Sequence, residues 1–355
     1  MTILEVDAVA RPRTTTAAHR TARLAYIDNL RVLLATLVVA HHVGQAYGPT
    51  GGDWPVFNPT RAPILGAFFA VNASFFMGLF FLIAGYFVPQ VYERKGAAGL
   101  LKDRLLRLGL PLLFVSLVLF LPLIYATRGQ GQAFGSFLIS YLRQPEVGHL
   151  WFAGHLLVYT GGYVLWRRRL RRGPVPEPQH LAPLRHRHIL LYVLGLAVAT
   201  FVVRIAFPID RWVYLAPFFR AEVAHVPQYL SLFILGIVAY GRDWLSQLPT
   251  KTGMTWLKIG LAAAALPYAV TMLRELGVID LHLFAGGGLS LSALMWSTVE
   301  ACICVGLCVG LLTLFRERVN HQGRLSRSLA ASSYAVYLTH FFLVVALQMA
   351  FAASG

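Results

Sequence analysis

Long apolar runs separated by short polar segments dominate the amino-acid sequence. A membrane-spanning helix needs roughly 20 mostly apolar residues, and nine runs meet or approach that length. The runs cover residues 29–47, 63–88, 108–127, 149–166, 188–206, 226–241, 256–273, 289–315 and 329–352. This pattern predicts an all-α, polytopic integral membrane protein, a helix bundle with nine or ten transmembrane helices.

Lysine and arginine are distributed unevenly among the segments that join these runs. If the N-terminus lies inside, 23 of the 31 basic residues fall in inside segments and 6 in outside segments. Because positive residues favour cytoplasmic loops, this distribution predicts a cytoplasmic N-terminus. We therefore expect residues 1–24 to form a disordered cytoplasmic tail and residues 25–355 to form one transmembrane domain. The polar segment 167–188 is expected to be a cytoplasmic hinge.

The composition supports the same class of protein. Hydrophobic residues make up 57% of the chain and charged residues 13%, whereas soluble domains carry roughly 25% charged residues. An ordinary soluble enzyme and a disordered chain are therefore excluded. The formal net charge of +16 does not indicate nucleic-acid binding, because the basic residues are scattered among loops rather than concentrated on one face.

The first apolar run contains two polar residues on one helical face. Arg31 and His42 are eleven residues apart, so they return to within about 20° of the same direction and are separated by about 16 Å along the axis. With Arg31 at the cytoplasmic surface, His42 lies near the middle of the bilayer. His41 points about 100° away from this stripe.

Two further titratable residues are predicted to lie at a similar depth. Glu300 and His340 are each about eleven residues into the eighth and ninth runs. Polar residues in a membrane are costly and are functional candidates by default. Together with His42 they could form a proton-handling cluster, or each could pair with a neighbouring helix for packing alone.

Two arginines precede the third run. Arg104 and Arg107 have the spacing that places both guanidinium groups on one helix face at the cytoplasmic surface. Paired arginines suit the recognition of phosphate groups. The alternative is that their side chains extend to lipid headgroups and only mark the cytoplasmic side.

Several of these residues lie in segments that resemble membrane acyltransferase family 3. Residues 26–48 resemble its opening helix, in which an arginine precedes a histidine with ten residues between them, here Arg31 and His42. Arg104 and Arg107 match the family's Arg-x-x-Arg motif. Further similarity lies in residues 75–87, 148–159 and 333–343. Within the family, the chain resembles the glucan biosynthesis protein C-like O-acyltransferases.

The resemblance implies an acyl-CoA-dependent acyltransferase in the cell (inner) membrane. Its donor would be a cytoplasmic acyl-CoA, acetyl-CoA or succinyl-CoA, and its acceptor a hydroxyl of a saccharide or another small molecule. His42 would be catalytic, with Arg31 as its partner, and Arg104 with Arg107 would bind the donor. No metal is expected. A neutral, buried His42 suits proton abstraction, and Glu300 could orient its ring.

Other functions are compatible with the same residues. A proton-coupled transporter or flippase could use the midplane histidines and Glu300 as a relay, although transporters often show internal repeats and none is visible in this chain. A catalytically silent scaffold is a third hypothesis. Transfer or hydrolysis of an acyl group by the purified protein would distinguish them. For an enzyme, His42 could act as a base or become acylated itself.

Overall fold

The computed structural model describes residues 24–49, 54–128, 131–170, 184–279 and 286–354 and is 80% helical. Its helices are α1 (Ala25–Gly44), α2 (Ile64–Arg104), α3 (Leu110–Phe114), α4 (Leu121–Arg128), α5 (Phe134–Arg143), α6 (Trp151–Leu170), α7 (His186–Ala206), α8 (Val226–Gly241), α9 (Trp244–Gln247), α10 (Thr250–Glu275), α11 (Leu291–Arg318) and α12 (Arg324–Ser354). The π-helical turns Leu105–Gly109 and Val115–Phe120 join α2, α3 and α4 end to end.

Six helical stretches among the described residues are long and apolar enough to cross a membrane. They are Ile64–Ala126, His186–Ala206, Val223–Gly241, Thr250–Glu275, Leu291–Arg318 and Arg324–Phe351. Their outer faces are apolar: on α7, Leu191, Val198 and Ile205 are exposed at seven-residue intervals and form one stripe. Such a stripe suits contact with lipid. The prediction of an all-α polytopic membrane protein is confirmed.

Gly96 bends the chain sharply within α2. Its φ of 69° lies in the left-handed region that favours glycine. Across the bend, the Lys95 ammonium donates to the Asp103 carboxylate at 2.9 Å, whereas residues eight apart in a straight helix are separated by about 12 Å along the axis. The bend divides the 63-residue stretch into two legs, which correspond to the second and third predicted runs.

The first and last helices, α1 and α12, run side by side in the same direction. Near their beginnings the Asn29 side chain donates to the carbonyls of Val319 and His321. Near their ends the Gln348 side chain donates to the carbonyl of Val43. If α1, which is not among the six stretches above, crosses the membrane as the sequence predicts, two spans that run the same way require an odd number of crossings from the first to the last. This agrees with nine spans, whose number and cytoplasmic N-terminus stay predictions.

Glycine permits the closest helix contacts of the bundle. Gly85 in α2 lies against the backbone of Phe233, and Gly236 in α8 lies against the carbonyl of Leu82. A Cβ atom at either glycine would overlap backbone atoms of the opposite helix. Small residues of this kind let transmembrane helices approach closely, so α2 and α8 form a rigid wall of the bundle.

A β-hairpin between α7 and α8 is not predicted by the sequence pattern. Strands β1 (Trp212–Ala216) and β2 (Phe219–Glu222) pair antiparallel. Their turn places Phe218 at a φ of 60°, a conformation for which hairpins normally use glycine or asparagine, so the usual hairpin signal is missing. The predicted tail to residue 23 and residues 171–183 of the predicted hinge lie outside the described residues.

The membrane orientation is testable by labelling two positions with a membrane-impermeant maleimide. We expect Arg94→Cys to react only from the cytoplasmic side, because it lies beside the Gly96 bend. Phe57→Cys, in the exposed segment between α1 and α2, should react only from the opposite side. Intact cells and inverted vesicles provide the two directions, and the unsubstituted chain provides the background. Labelling of residue 94 from outside would show that the orientation is wrong.

Candidate active site

One cavity of about 1040 Å³ lies between the helices. All five residues predicted for the site line this cavity: Arg31, His42, Arg104, Arg107 and Glu300. His340, the third member of the predicted midplane cluster, also lines it. Residues from four distant parts of the sequence therefore share one internal space.

A hydrogen bond between two histidines joins α1 to α12 at the cavity. His42 Nδ1 lies 2.9 Å from His340 Nε2. His340 Nδ1 lies 2.9 Å from the carbonyls of both Val336 and Tyr337. Carbonyls only accept, so His340 Nδ1 carries the hydrogen and, in a neutral ring, Nε2 is an acceptor. His42 Nδ1–H therefore donates to His340, which leaves the lone pair of a neutral His42 on Nε2.

The adjacent histidines contact different helices. The His41 ring packs among aromatic rings of α2, with centroids 4.8 Å from Phe69 and 5.4 Å from Phe76, whereas His42 contacts α12. The planes of the two imidazole rings are 82° apart. Both rings border the cavity, but of the two only His42 hydrogen-bonds to His340.

Glu300 belongs to a separate buried network. Its carboxylate forms an ion pair with Arg204 and accepts a hydrogen bond from His225 Nε2 at 3.0 Å. His225 Nδ1 lies 3.0 Å from the Glu222 carboxylate. Among the hydrogen bonds of the described residues none joins Glu300 to His42; His340 occupies the position beside His42. The structure thus brings two members of the predicted cluster into contact and places Glu300 in another part of the cavity wall.

The hairpin adds a second carboxylate group to this part of the cavity. Glu222 accepts a hydrogen bond from the backbone N–H of Asp210 at 2.7 Å, and both residues line the cavity. Partial burial and the neighbouring Glu222 carboxylate raise the pKa of Asp210. This part of the cavity wall therefore carries three carboxyl groups, those of Asp210, Glu222 and Glu300. The predicted arginines line a different part of the cavity.

The three predicted arginines lie toward the beginnings of α1 and α12. Arg31 lies about 16 Å along α1 from His42, with its guanidinium 3.6 Å from Asp28 and over the Phe87 ring. Arg107 accepts a hydrogen bond at its carbonyl from the Tyr334 hydroxyl, and Tyr334 precedes His340 by about 9 Å along α12. The parallel direction of α1 and α12 thus places Arg31 and Arg107 on the same side of the histidines.

The π-helical turn at Leu105–Gly109 gives the two motif arginines different environments. Arg107 is largely exposed and lies 3.4 Å from the Asp103 carboxylate. Arg104 is half-buried, and its Nε has no hydrogen-bond partner within the described part of the chain. Both side chains border the cavity, so a phosphate group could bind between a half-buried and a solvent-facing guanidinium.

Sequence reasoning missed two parts of the site. His149, in the turn Gly148–Leu150 before α6, lines the cavity with its ring centroid 5.0 Å from His340. The other part is Arg204 with His225. Glu300 was the sequence signal for Arg204 and His225, because a carboxylate inside a membrane span needs a cation from another helix. No group of three or more metal-ligating side chains occurs in the described ranges.

Comparison with known proteins gives the class of protein to which this fold and site belong. A family model described as an acyltransferase domain, that of acyltransferase family 3, matches residues 24–355. The chain therefore belongs to acyltransferase family 3 and is a polytopic membrane protein.

Several relatives of this chain share one protein name. The chain is similar to the glucans biosynthesis protein C of Salmonella paratyphi B, Salmonella agona and Salmonella enteritidis. Each is 26% identical over 226 residues, which cover 61% of this chain and 58% of the relative. The match thus spans less than two thirds of the relatives' length. No solved structure matches the chain.

The Glu300 network predicts a large effect on stability. Replacing Glu300 with Gln leaves the buried Arg204 charge without its counter-ion, which costs about 3–5 kcal/mol of unfolding free energy. Glu317→Gln removes a partly exposed partner of Arg316 and should cost less than about 1 kcal/mol. Thermal unfolding in one detergent compares the two variants. Equal melting temperatures would contradict the assignment of Glu300 to a structural ion pair.

Proposed function

We propose that the protein transfers an acetyl or succinyl group from a cytoplasmic acyl-CoA to a hydroxyl of a saccharide or another small acceptor. The observation that carries this proposal is the pair of hydrogen-bonded histidines in a cavity that also contains the motif arginines. The relatives are named glucans biosynthesis protein C, which supports a saccharide acceptor. The proposed location is the cell inner membrane with the N-terminus in the cytoplasm.

The donor binds at the arginine end of the cavity in this proposal. Arg104 and Arg107 hold the phosphate groups of CoA by charge-assisted hydrogen bonds, and Arg31 adds positive charge on the same side of the histidines. The acyl thioester extends from the arginines toward His42. The acceptor approaches from the rest of the cavity, where Glu222 and Asp210 can accept hydrogen bonds from its other hydroxyl groups.

His42 Nε2 acts as the base. It removes the proton from the acceptor hydroxyl as the hydroxyl oxygen attacks the thioester carbonyl carbon. The carbon–sulfur bond then breaks, and the imidazolium returns the proton to the leaving thiolate. His340 accepts a hydrogen bond from His42 Nδ1–H throughout, so it holds the tautomer that presents the Nε2 lone pair. Direct acylation of His42 would use the same nitrogen.

Two adjacent histidines allow a matched test of this role. His42→Ala should abolish acyl transfer, because loss of a general base costs about 10²–10⁴ in rate. His41→Ala should retain transfer, since His41 packs among phenylalanines. The assay measures thiol release from acetyl-CoA and succinyl-CoA, and label transfer to acceptors, by protein in liposomes. Normal turnover by the His42 variant would refute the proposal and leave a transporter or scaffold as the function.

Arg104 and Arg107 are expected to determine the affinity of the protein for acyl-CoA. Arg104→Ala combined with Arg107→Ala should weaken acyl-CoA binding by about two to four orders of magnitude, because each charge-assisted contact contributes roughly 1.5–3 kcal/mol. Lysine at both positions should restore only part of the affinity, since it lacks the planar fork. Arg94→Ala combined with Lys102→Ala, both exposed on α2, is the control for net charge. Wild-type affinity in the double variant would show that the arginines contact only lipid.

A further inference from the structure

Trp54 lies against the ring of the proposed base. It belongs to the segment between α1 and α2, and its ring stacks on His42 with centroids 5.3 Å apart and planes 11° apart. The edge of the indole also contacts Phe341 of α12 at 5.3 Å. One face of the His42 imidazole is therefore covered by an aromatic surface.

A buried glutamine holds the tryptophan in this position. Trp54 Nε1 donates to Gln348 Oε1 at 2.8 Å, and Gln348 Nε2 donates to the Val43 carbonyl at 3.0 Å. Gln348 is 5% exposed. The Val43 carbonyl belongs to the last turn of α1, where carbonyls have no partner within the helix. The amide thus uses both of its ends to tie the indole, α1 and α12 together beside His42.

A base histidine in a protein interior usually has a carboxylate to stabilise the imidazolium that forms during catalysis. Here no carboxylate hydrogen-bonds to His42 among the described residues, because Glu300 is paired with Arg204 and His225. A tryptophan ring within about 6 Å attracts a cation, and the interaction is strongest when both groups are removed from water. The neutral imidazole is not attracted in this way.

We propose that Trp54 is a positioning residue that stabilises the His42 imidazolium in the transition state through a cation–π interaction. This inference rests on the proposed role of His42 as the base. The proton moves from the acceptor hydroxyl to His42 Nε2 and then to the leaving sulfur, and Trp54 undergoes no covalent change. Because the indole attracts only the charged form of His42, we expect Trp54 to raise kcat and to leave the affinity for the donor unchanged.

Fluorinated tryptophans test this proposal, because fluorine weakens the negative face of the ring while its shape is nearly unchanged. Site-specific incorporation of mono-, di- and tetrafluorotryptophan at position 54 should lower kcat stepwise. The total decrease should be about 10- to 30-fold. The KM for acyl-CoA and the melting temperature should stay constant. The same series at Trp166, exposed on α6, should leave kcat unchanged. If Trp54 had only a structural role, kcat would be the same for every fluorinated ring at both positions.

Two further variants test whether the position of the indole matters for kcat. Gln348→Leu should lower kcat by loosening the indole, and Trp54→Leu should lower it at least as far as the tetrafluoro ring. A flat fluorine series with an inactive His42→Ala variant would overturn the role of Trp54 and leave the proposed function intact. Activity in His42→Ala would instead refute the proposed function itself.

Discussion

The hydrogen bond between His42 and His340 closes the bundle and defines its reactive point. It joins residues 298 positions apart, so it forms only when the first and last helices lie side by side. The interior of a membrane protein offers little water, and polar side chains there must find partners within the protein. The hydrogen bond that His42 requires therefore also holds α1 against α12 and sets the direction of the Nε2 lone pair.

The buried polar groups are divided between two separate sets. Arg204, Glu300 and His225 satisfy one another in an ion-pair network, whereas His42 is held by neutral groups, the ring of His340 and the indole of Trp54. Removing one partner of a buried ion pair is strongly destabilising, and this network connects α7, the turn before α8 and α11. In the proposed mechanism the first set maintains the shape of the cavity, and the second carries out proton transfer.

The sequence predicted the positions of residues along each helix and grouped His42 with His340 by depth, but it did not predict the contacts that Glu300 and Trp54 make with other elements. Apolar runs indicated the spans, and the eleven-residue spacing indicated that Arg31 and His42 share a face. The partner of Glu300 was not predictable, because Arg204 approaches it from a helix 96 positions away and no local pattern encodes that pairing. The same limit applies to Trp54, whose contact with His42 depends on how Gln348 holds the segment after α1.

The separation of Glu300 from His42 has a chemical consequence for the proposed base. A carboxylate beside a buried histidine favours the imidazolium in the resting state as well as in the transition state, and a histidine that already carries the proton cannot accept one from a hydroxyl. His340 and Trp54 are neutral partners. They orient the ring at rest without drawing a proton onto it, and the aromatic face becomes attractive only when the charge forms. In the proposed mechanism, neutral partners thus give the His42 ring the orientation that a carboxylate gives to other base histidines.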